Sequence, residues 1–317
     1  MNAELTYAYY PGCSGLSTSR EYDVSTREVC KALGITLKDI EDWSCCGSTP
    51  AHTVDHVFSS ALSARNLALA EQMGLDTIVT PCPSCLTNLK VAGHRMQDPT
   101  FKDKVNELLD RPCENRVQVK SLLQILVEDY GVEEIRERVA SSLPGLKVVP
   151  YYGCIMNRPP EVMQFDDPEN PVAMDEILGA IGMEVMDFPF KVECCGGSFG
   201  VARKDIVVNL SGKHLRLARD AGADAIVTAC PLCQMNLDLR QSQINAAWGE
   251  SFHFPVFYFT QLLGMALGLS RKDVLLNKLV VSPGFALQKI EKARQQAREE
   301  EKARQQAKEE KKASSAS

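Results

Sequence analysis

The sequence predicts an α/β protein built from two pseudo-symmetric repeats, each a small parallel sheet flanked by helices with cysteines at the carboxyl ends of its strands. Three observations predict it. A cysteine pattern occurs twice: "YYPGC", "CCG" and "PCPSC", carrying Cys13, Cys45, Cys46, Cys82 and Cys85, return as "YYGC", "CCGG" and "ACPLC", carrying Cys154, Cys194, Cys195, Cys230 and Cys233. The similarity runs past the thiols, since "LDTIVTPCPSCLTNL" matches "ADAIVTACPLCQMNL" almost residue for residue, the mark of a duplicated unit. Short apolar runs also alternate with stretches of helical periodicity in both halves, as strands and helices do in a parallel α/β sheet.

In chain order, "LTYAYY" reads as a buried strand running into the first cysteine, and "VFSSALSARNLALAEQMG" as a helix ending at glycine. "TIVT" is the next strand, directly ahead of "PCPSC", and "VQVKSLLQILVEDYG" closes the first repeat. The second repeat answers with "LKVVPYY", "IVVNLSGKHLRLARDAG", "AIVTA" and "PVFYFTQLLGMALG". The repeats cover about Leu5 to Gly131 and Gly145 to Gly268, which suggests domains at 1–140 and 141–287 and a tail at 288–317. That tail repeats Lys, Glu, Gln, Arg and Ala without an apolar stripe, so a solvated charged helix or disorder is expected.

A chain of 317 residues with 44% hydrophobic content can fill one large core or two ordinary ones. The Met-Asn-Ala-Glu start offers no secretory signal, and no run is apolar and long enough to span a bilayer. A cytoplasmic protein without a transmembrane segment is the expectation. Net charge is −6, with the acidity in the body rather than the tail, so nucleic acid is not an expected partner. Twelve cysteines in a reducing compartment point to metal or thiol chemistry instead of a disulfide framework.

The carboxyl edge of an open α/β sheet is where ligands bind, so five thiols should converge there in each repeat. Zinc takes four ligands in a tetrahedron, which leaves one thiol over, and adjacent cysteines reach one small ion awkwardly. Dithiol redox chemistry suits a C-x-x-C at a helix start, where the dipole lowers a thiol pKa. It gives no role to the CCG element or to the upstream cysteine. An iron–sulfur cluster offers several irons to neighbouring thiolates, and the glycine after each pair permits the tight turn. Cys45, Cys46, Cys194 and Cys195 are therefore the residues on which the chemistry is expected to turn.

The ten-cysteine pattern resembles the CCG domain, and two complete copies without an attached ferredoxin domain resemble the B-type subunit of heterodisulfide reductase. "YYGC", "FDDPENP" and "PFKVECCGGS" extend the likeness, which covers Tyr7 to about Gly268. The resemblance implies two non-cubane [4Fe–4S] clusters. Cys13, Cys45, Cys46, Cys82 and Cys85 would bind the first, and Cys154, Cys194, Cys195, Cys230 and Cys233 the second. It further implies reduction of a small-molecule disulfide, such as that of coenzymes M and B, between the clusters. Electrons would arrive from a ferredoxin-like C-type subunit fed by a flavin-containing A-type subunit, with a hydrogenase or formate dehydrogenase module as a candidate neighbour. The chain has no flavin fingerprint and no C-x2-C-x2-C-x3-C run, so no flavin is expected on it and partners are required. The alternative within the same family is an electron-relay subunit of a succinate/fumarate, lactate or glycolate dehydrogenase.

Other residues invite weaker readings. Arg158, Lys191, Arg203 and Lys204 lie near the cysteine loops and are candidates for substrate contact or plain surface charge. "FDDPENP" is either a cleft lid or ordinary turn chemistry. His52 and His56 follow the first CCG and are candidate proton donors or exposed helix residues. Cys30 sits in an apolar helical stretch and Cys113 has no counterpart in the second repeat, so neither is expected to be a ligand.

Overall fold

The computed structural model describes residues 5–48, 51–200 and 202–314, with side chains at 51, 52, 307 and 309–314 left aside. Each half builds a four-stranded, wholly parallel sheet. β1 (Thr6–Tyr9), β2 (Thr36–Asp39), β3 (Thr77–Thr80) and β4 (Gln118–Ser121) lie in the order β2-β1-β3-β4. β5 (Lys147–Tyr151), β6 (Glu184–Val185), β7 (Ala225–Thr228) and β8 (Val256–Tyr258) repeat it as β6-β5-β7-β8. The central pairs carry the apolar runs seen in the sequence, with Ala8 opposite Ile78 and Val149 opposite Ile226. Edge strands β2 and β6 are mostly exposed, so no apolar run marks them.

Local chemistry sets the helices. α1 (Arg20–Leu33) stops at Gly34, whose φ of 78° is left-handed. α2 (His56–Gln72) starts on Asp55, whose carboxylate accepts the amides of Val57 and Phe58 at 2.7 and 3.0 Å. α3 (Pro83–Arg95) follows Cys82 with proline in its first turn, and α5 (Pro231–Asp238) does the same after Cys230. α4 (Lys204–Asp220) is the second-repeat counterpart of α2.

Among the described residues, one of three apolar cores joins the halves. α1 packs across the seam on α6 (Phe259–Ala266), with Val29, Cys30 and Leu33 in the same apolar cluster as Leu262 and Leu263. Ser25 Oγ and Thr260 Oγ1 are 2.7 Å apart, and the Tyr22 ring stacks on Tyr258 at 4.2 Å. Tyr22 Oη donates to the carbonyl of Ala229, next to Cys230, at 3.1 Å. Glycine at 264 lets Val274 pack on α6 behind this seam: a methyl group there would lie 2.7 Å from Val274 and only touch Val29 of α1, at 3.4 Å.

α7 (Gly284–Ser314) is the charged tail seen in the sequence. Its first turns are anchored to the second repeat, with Ala286, Leu287 and Ile290 buried and Lys289 Nζ on Asp224 at 2.6 Å. Arg294 donates to the carbonyls of Ser141 and Ser142 at 2.9 and 2.6 Å. Among the described residues no helix is long and apolar enough to cross a membrane.

Tyr22→Ala removes the ring stack and the seam hydrogen bond, and should cost about 3–5 kcal/mol in urea denaturation, as expected for a large aromatic cavity. A loss below about 1 kcal/mol would mean that the two halves do not share a core there.

Candidate functional site

Strand order reverses between β1 and β3, and between β5 and β7, so the loops leaving those strands part and open a crevice at the carboxyl edge. The cysteines sit there. Cys13 follows β1, Cys45 and Cys46 lie on the loop after β2, and Cys82 leads from β3 into α3 with Cys85 one turn on. Cys154, Cys194, Cys195, Cys230 and Cys233 repeat the arrangement. All ten thiols are free.

The same devices hold both sets. Tyr10 Oη donates to the carbonyl of Ser44, and Tyr151 Oη to that of Glu193, each at 2.7 Å and each on the residue before a cysteine pair. Ser63 Oγ holds the carbonyl of Cys46 at 2.7 Å, as Ser211 Oγ holds that of Cys195 at 2.9 Å. The amides of Cys82 and Cys230 point to Thr80 and Thr228 hydroxyls at 3.4 and 3.3 Å. Glycine is required before the first cysteine of each set. A methyl group at Gly12 would lie 2.8 Å from Cys85 Sγ, and one at Gly153 2.9 Å from Cys233 Sγ, and both residues have positive φ. Here the backbone itself forms one wall of the thiol cradle.

The thiols also act on one another. Cys85 stands in contact with Cys46 and Cys82; it keeps its proton while it lowers the pKa of both, that of Cys82 to about 7. In the second repeat Cys195 and Cys233 are 3.7 Å apart, and Cys195 falls to about 7 through Cys233, helped by the Asn236 amide 3.4 Å from its sulfur. Cys194 falls to about 6 because the Cys154 thiol donates to it, with the Gly196 amide at 3.3 Å as a further donor. Each crevice thus contains thiols ready to become thiolates, the form that binds metal. Among the described residues no three His, Cys, Asp or Glu side chains gather around a point suited to one ion.

The segments that carry the two sets touch: Thr87 Oγ1, two residues after Cys85, donates to the carbonyl of Ile155, next to Cys154, at 3.1 Å. Tyr22 is buried, and burial raises its phenol pKa, with the charges of Cys230 and Cys82 raising it further.

The other candidates separate clearly. Lys191 is buried, with Nζ on Asp175 at 2.6 Å and on the carbonyl of Pro171. Arg158 donates to the Pro168 carbonyl and pairs with Glu169, while Arg203 pairs with Asp205 at 2.8 Å. "FDDPENP" is turn chemistry: Asp167 accepts the amides of Glu169 and Asn170, and Asp166 those of Val172 and Ala173. Cys30 and Cys113 lie in the apolar cores. His56 is exposed, and the His52 side chain lies outside the described residues. Sequence reading missed the roles of Tyr10, Tyr151, Ser63 and Ser211. The tyrosines stand inside the repeated motif, so their recurrence was the available signal.

The cysteine-rich CCG domain matches the chain at residues 7–90 and again at 148–238. The chain belongs to this family. It is 34% identical over 278 residues to the 8-methylmenaquinol:fumarate reductase membrane anchor subunit of Wolinella succinogenes, covering 87% of this chain and 96% of that one. It is 32% identical over 281 residues to a protein of Archaeoglobus profundus that is named as similar to the B-type subunit of heterodisulfide reductase (85% and 93% covered). Identity is 31% over 275 residues to the B-type subunit of the ferredoxin/F(420)H(2)-dependent CoB-CoM heterodisulfide reductase of Methanosarcina acetivorans (84% and 90%). The resemblance to this heterodisulfide reductase component therefore extends over most of the chain. Among solved structures, a hypothetical protein from Helicobacter pylori has a TM-score of 0.69 over 89% of this chain and 53% of its own, at 15% identity, which shows a shared fold.

Tyr151→Phe leaves the Glu193 carbonyl without its phenol donor, and should lower stability by about 1–2 kcal/mol in chemical denaturation. An unchanged midpoint would mean that the hydroxyl does not hold the CCGG loop.

Proposed function

We propose that the chain is the iron–sulfur subunit of a disulfide oxidoreductase complex, holding two non-cubane [4Fe–4S] clusters and reducing a low-molecular-weight disulfide between them. The observation that carries this reading is the recurrence of the five-cysteine pattern at the crevice of each sheet, with Tyr22 of the first half donating to the carbonyl beside Cys230 of the second. The first set would be Cys13, Cys45, Cys46, Cys82 and Cys85, and the second Cys154, Cys194, Cys195, Cys230 and Cys233.

The residues fit such a group. The donors are all thiols, several of them poised to ionise, and the backbone at Gly12 and Gly153 comes close enough to cradle a bulky inorganic body. When bound, a cluster supplies one-electron transfer and a Lewis-acidic face for sulfur. The chain's own part is positional. Tyr10 and Tyr151 fix the adjacent-cysteine loops, and the Tyr22–Tyr258 stack fills the seam between the halves. Of the ten cysteines, Cys45, Cys46, Cys194 and Cys195 are the ones we place nearest the reacting sulfurs.

The reaction breaks one S–S bond, consumes two electrons and two protons, and releases two thiols. Its electrons come from an iron–sulfur partner of the ferredoxin type, itself served by a flavin-bearing partner. The heterodisulfide reductase components among the relatives support this reading. A second reading is favoured by the Wolinella fumarate reductase component, which matches over nearly its full length. In that reading the same ten cysteines serve an electron relay, and no small disulfide is bound.

Electron paramagnetic resonance of the anaerobically purified chain, oxidised with and without coenzyme M, 3-mercaptopropionate or 2-mercaptoethanol, separates the two. Disulfide chemistry predicts a new signal that appears only with a thiol; cluster signals indifferent to every thiol would overturn it in favour of the relay. Cys194→Ser should abolish disulfide turnover and reduce bound iron by about half, with the first-repeat signals retained. Full activity in this variant would refute the second site.

A further inference from the structure

The two halves differ in one place that bears on what they bind. Counting from Cys233, the seventh residue is Arg240, whose guanidinium reaches Asn236 Oδ1 at 3.3 Å and the carbonyl of Gly200 at 3.2 Å. That side chain plugs the groove beside the second cysteine pair, and Asn236 is turned onto Cys195 Sγ and the Gly197 carbonyl. Counting from Cys85, the same position is Ala92. Among the described residues nothing takes the place of the guanidinium there, and a cavity of about 310 Å³ is left.

Its lining is specific in character. Ser48, two residues beyond Cys46, forms one side, and Ile155, next to Cys154 of the other repeat, contributes to another. Ser59, Ser60, Thr87, Asn88, His56 and Arg95 complete the polar wall, and no carboxylate lines it among the described residues. Arg95 is half-buried in the last turn of α3, where the second repeat has Gln243. It makes no ion pair or side-chain hydrogen bond among the described residues, in contrast to Arg158 and Arg203, which have carboxylate partners. A partly desolvated guanidinium facing hydroxyls and an amide, with no counter-ion, favours an anion that can accept two hydrogen bonds. The first repeat's thiols are also the more open ones: Cys13 and Cys45 are exposed, whereas Cys154 and Cys194 are only partly so.

We propose that this cavity is the subsite for an anionic group, a carboxylate, sulfonate or phosphate, on the thiol half that engages the first repeat, with Arg95 as its principal contact. This rests on the disulfide reading above and gives it direction: the half held at the first repeat carries the charge, and the half at the Arg240-plugged second repeat is recognised without this subsite. The volume suits a group of a few heavy atoms on a short chain and is small for a nucleotide.

Titration calorimetry on the full, anaerobically purified chain tests it with 3-mercaptopropionate, with neutral 2-mercaptoethanol, and with the thiol-free anions propanoate, ethanesulfonate and methylphosphonate. Arg95→Met should weaken 3-mercaptopropionate and the best thiol-free anion by roughly tenfold to a hundredfold, the effect of one charged hydrogen-bonding contact. It should leave 2-mercaptoethanol unchanged, and Arg95→Lys should recover part of the loss. Equal affinities in wild type and Arg95→Met, or no binding of any anion to the wild type, overturn the subsite. The thiol-free anions keep this result apart from the parent reading. If they bind through Arg95 while no thiol alters the resonance spectrum, the subsite stands and the disulfide reading falls; a thiol-dependent spectrum indifferent to Arg95→Met gives the reverse.

Discussion

Five thiols that come from three separate strand ends have to be held at one crevice, and the rest of the structure follows from that constraint. Reversal of strand order provides the crevice, but a crevice alone does not keep cysteine loops in place. Buried tyrosine and serine hydroxyls do so by holding the carbonyls on and before each adjacent-cysteine pair. The backbone must also pass so close to the C-x-x-C sulfurs that only glycine fits at positions 12 and 153. These contacts recur in both halves although the surrounding helices have diverged, so they belong to the site rather than to general packing.

Duplication brings two such sites together, and the seam is as constrained as the sites. Tyr22 belongs to the first repeat, stacks on a tyrosine of the second and bonds the carbonyl beside Cys230. Its neighbours Ser25 and Thr260 share a hydrogen bond inside the same core. Displacing one half therefore disturbs the thiol set of the other. Equivalence stops at the rims, where Arg240 closes one groove and Ala92 leaves the other open. On the proposed disulfide reading, this difference is what would let two pseudo-equivalent sites take two chemically different ends of one substrate.

What the sequence made legible is what is local in it. Central strands appear as apolar runs, helices begin at Pro83 and Pro231 directly after a cysteine, and the thiol sets repeat in register. Strands β2 and β6 were hidden because they lie at sheet edges with little buried surface. The pairing of Lys191 with Asp175 depends on how a loop folds back on the sheet, so the lysine reads in sequence as a free cation near the cysteines. The cavity at Arg95 depends on a side chain that is missing at Ala92 and on Ile155 from the other repeat, which periodicity cannot register. The tail reads in sequence as a solvated helix or disorder, and its docking rests on a few residues, Ile290 and Lys289 chief among them.

The central claim is that each repeat holds one iron–sulfur cluster on its own five thiols. Mössbauer spectroscopy of the chain, purified without oxygen from iron-57-grown cells and set beside acid-labile sulfide analysis, tests it most directly. The account predicts two four-iron clusters per chain, with matching sulfide and with iron environments in each cluster that are unequal. Bound zinc in place of iron, or a single cluster shared between the repeats, would contradict it.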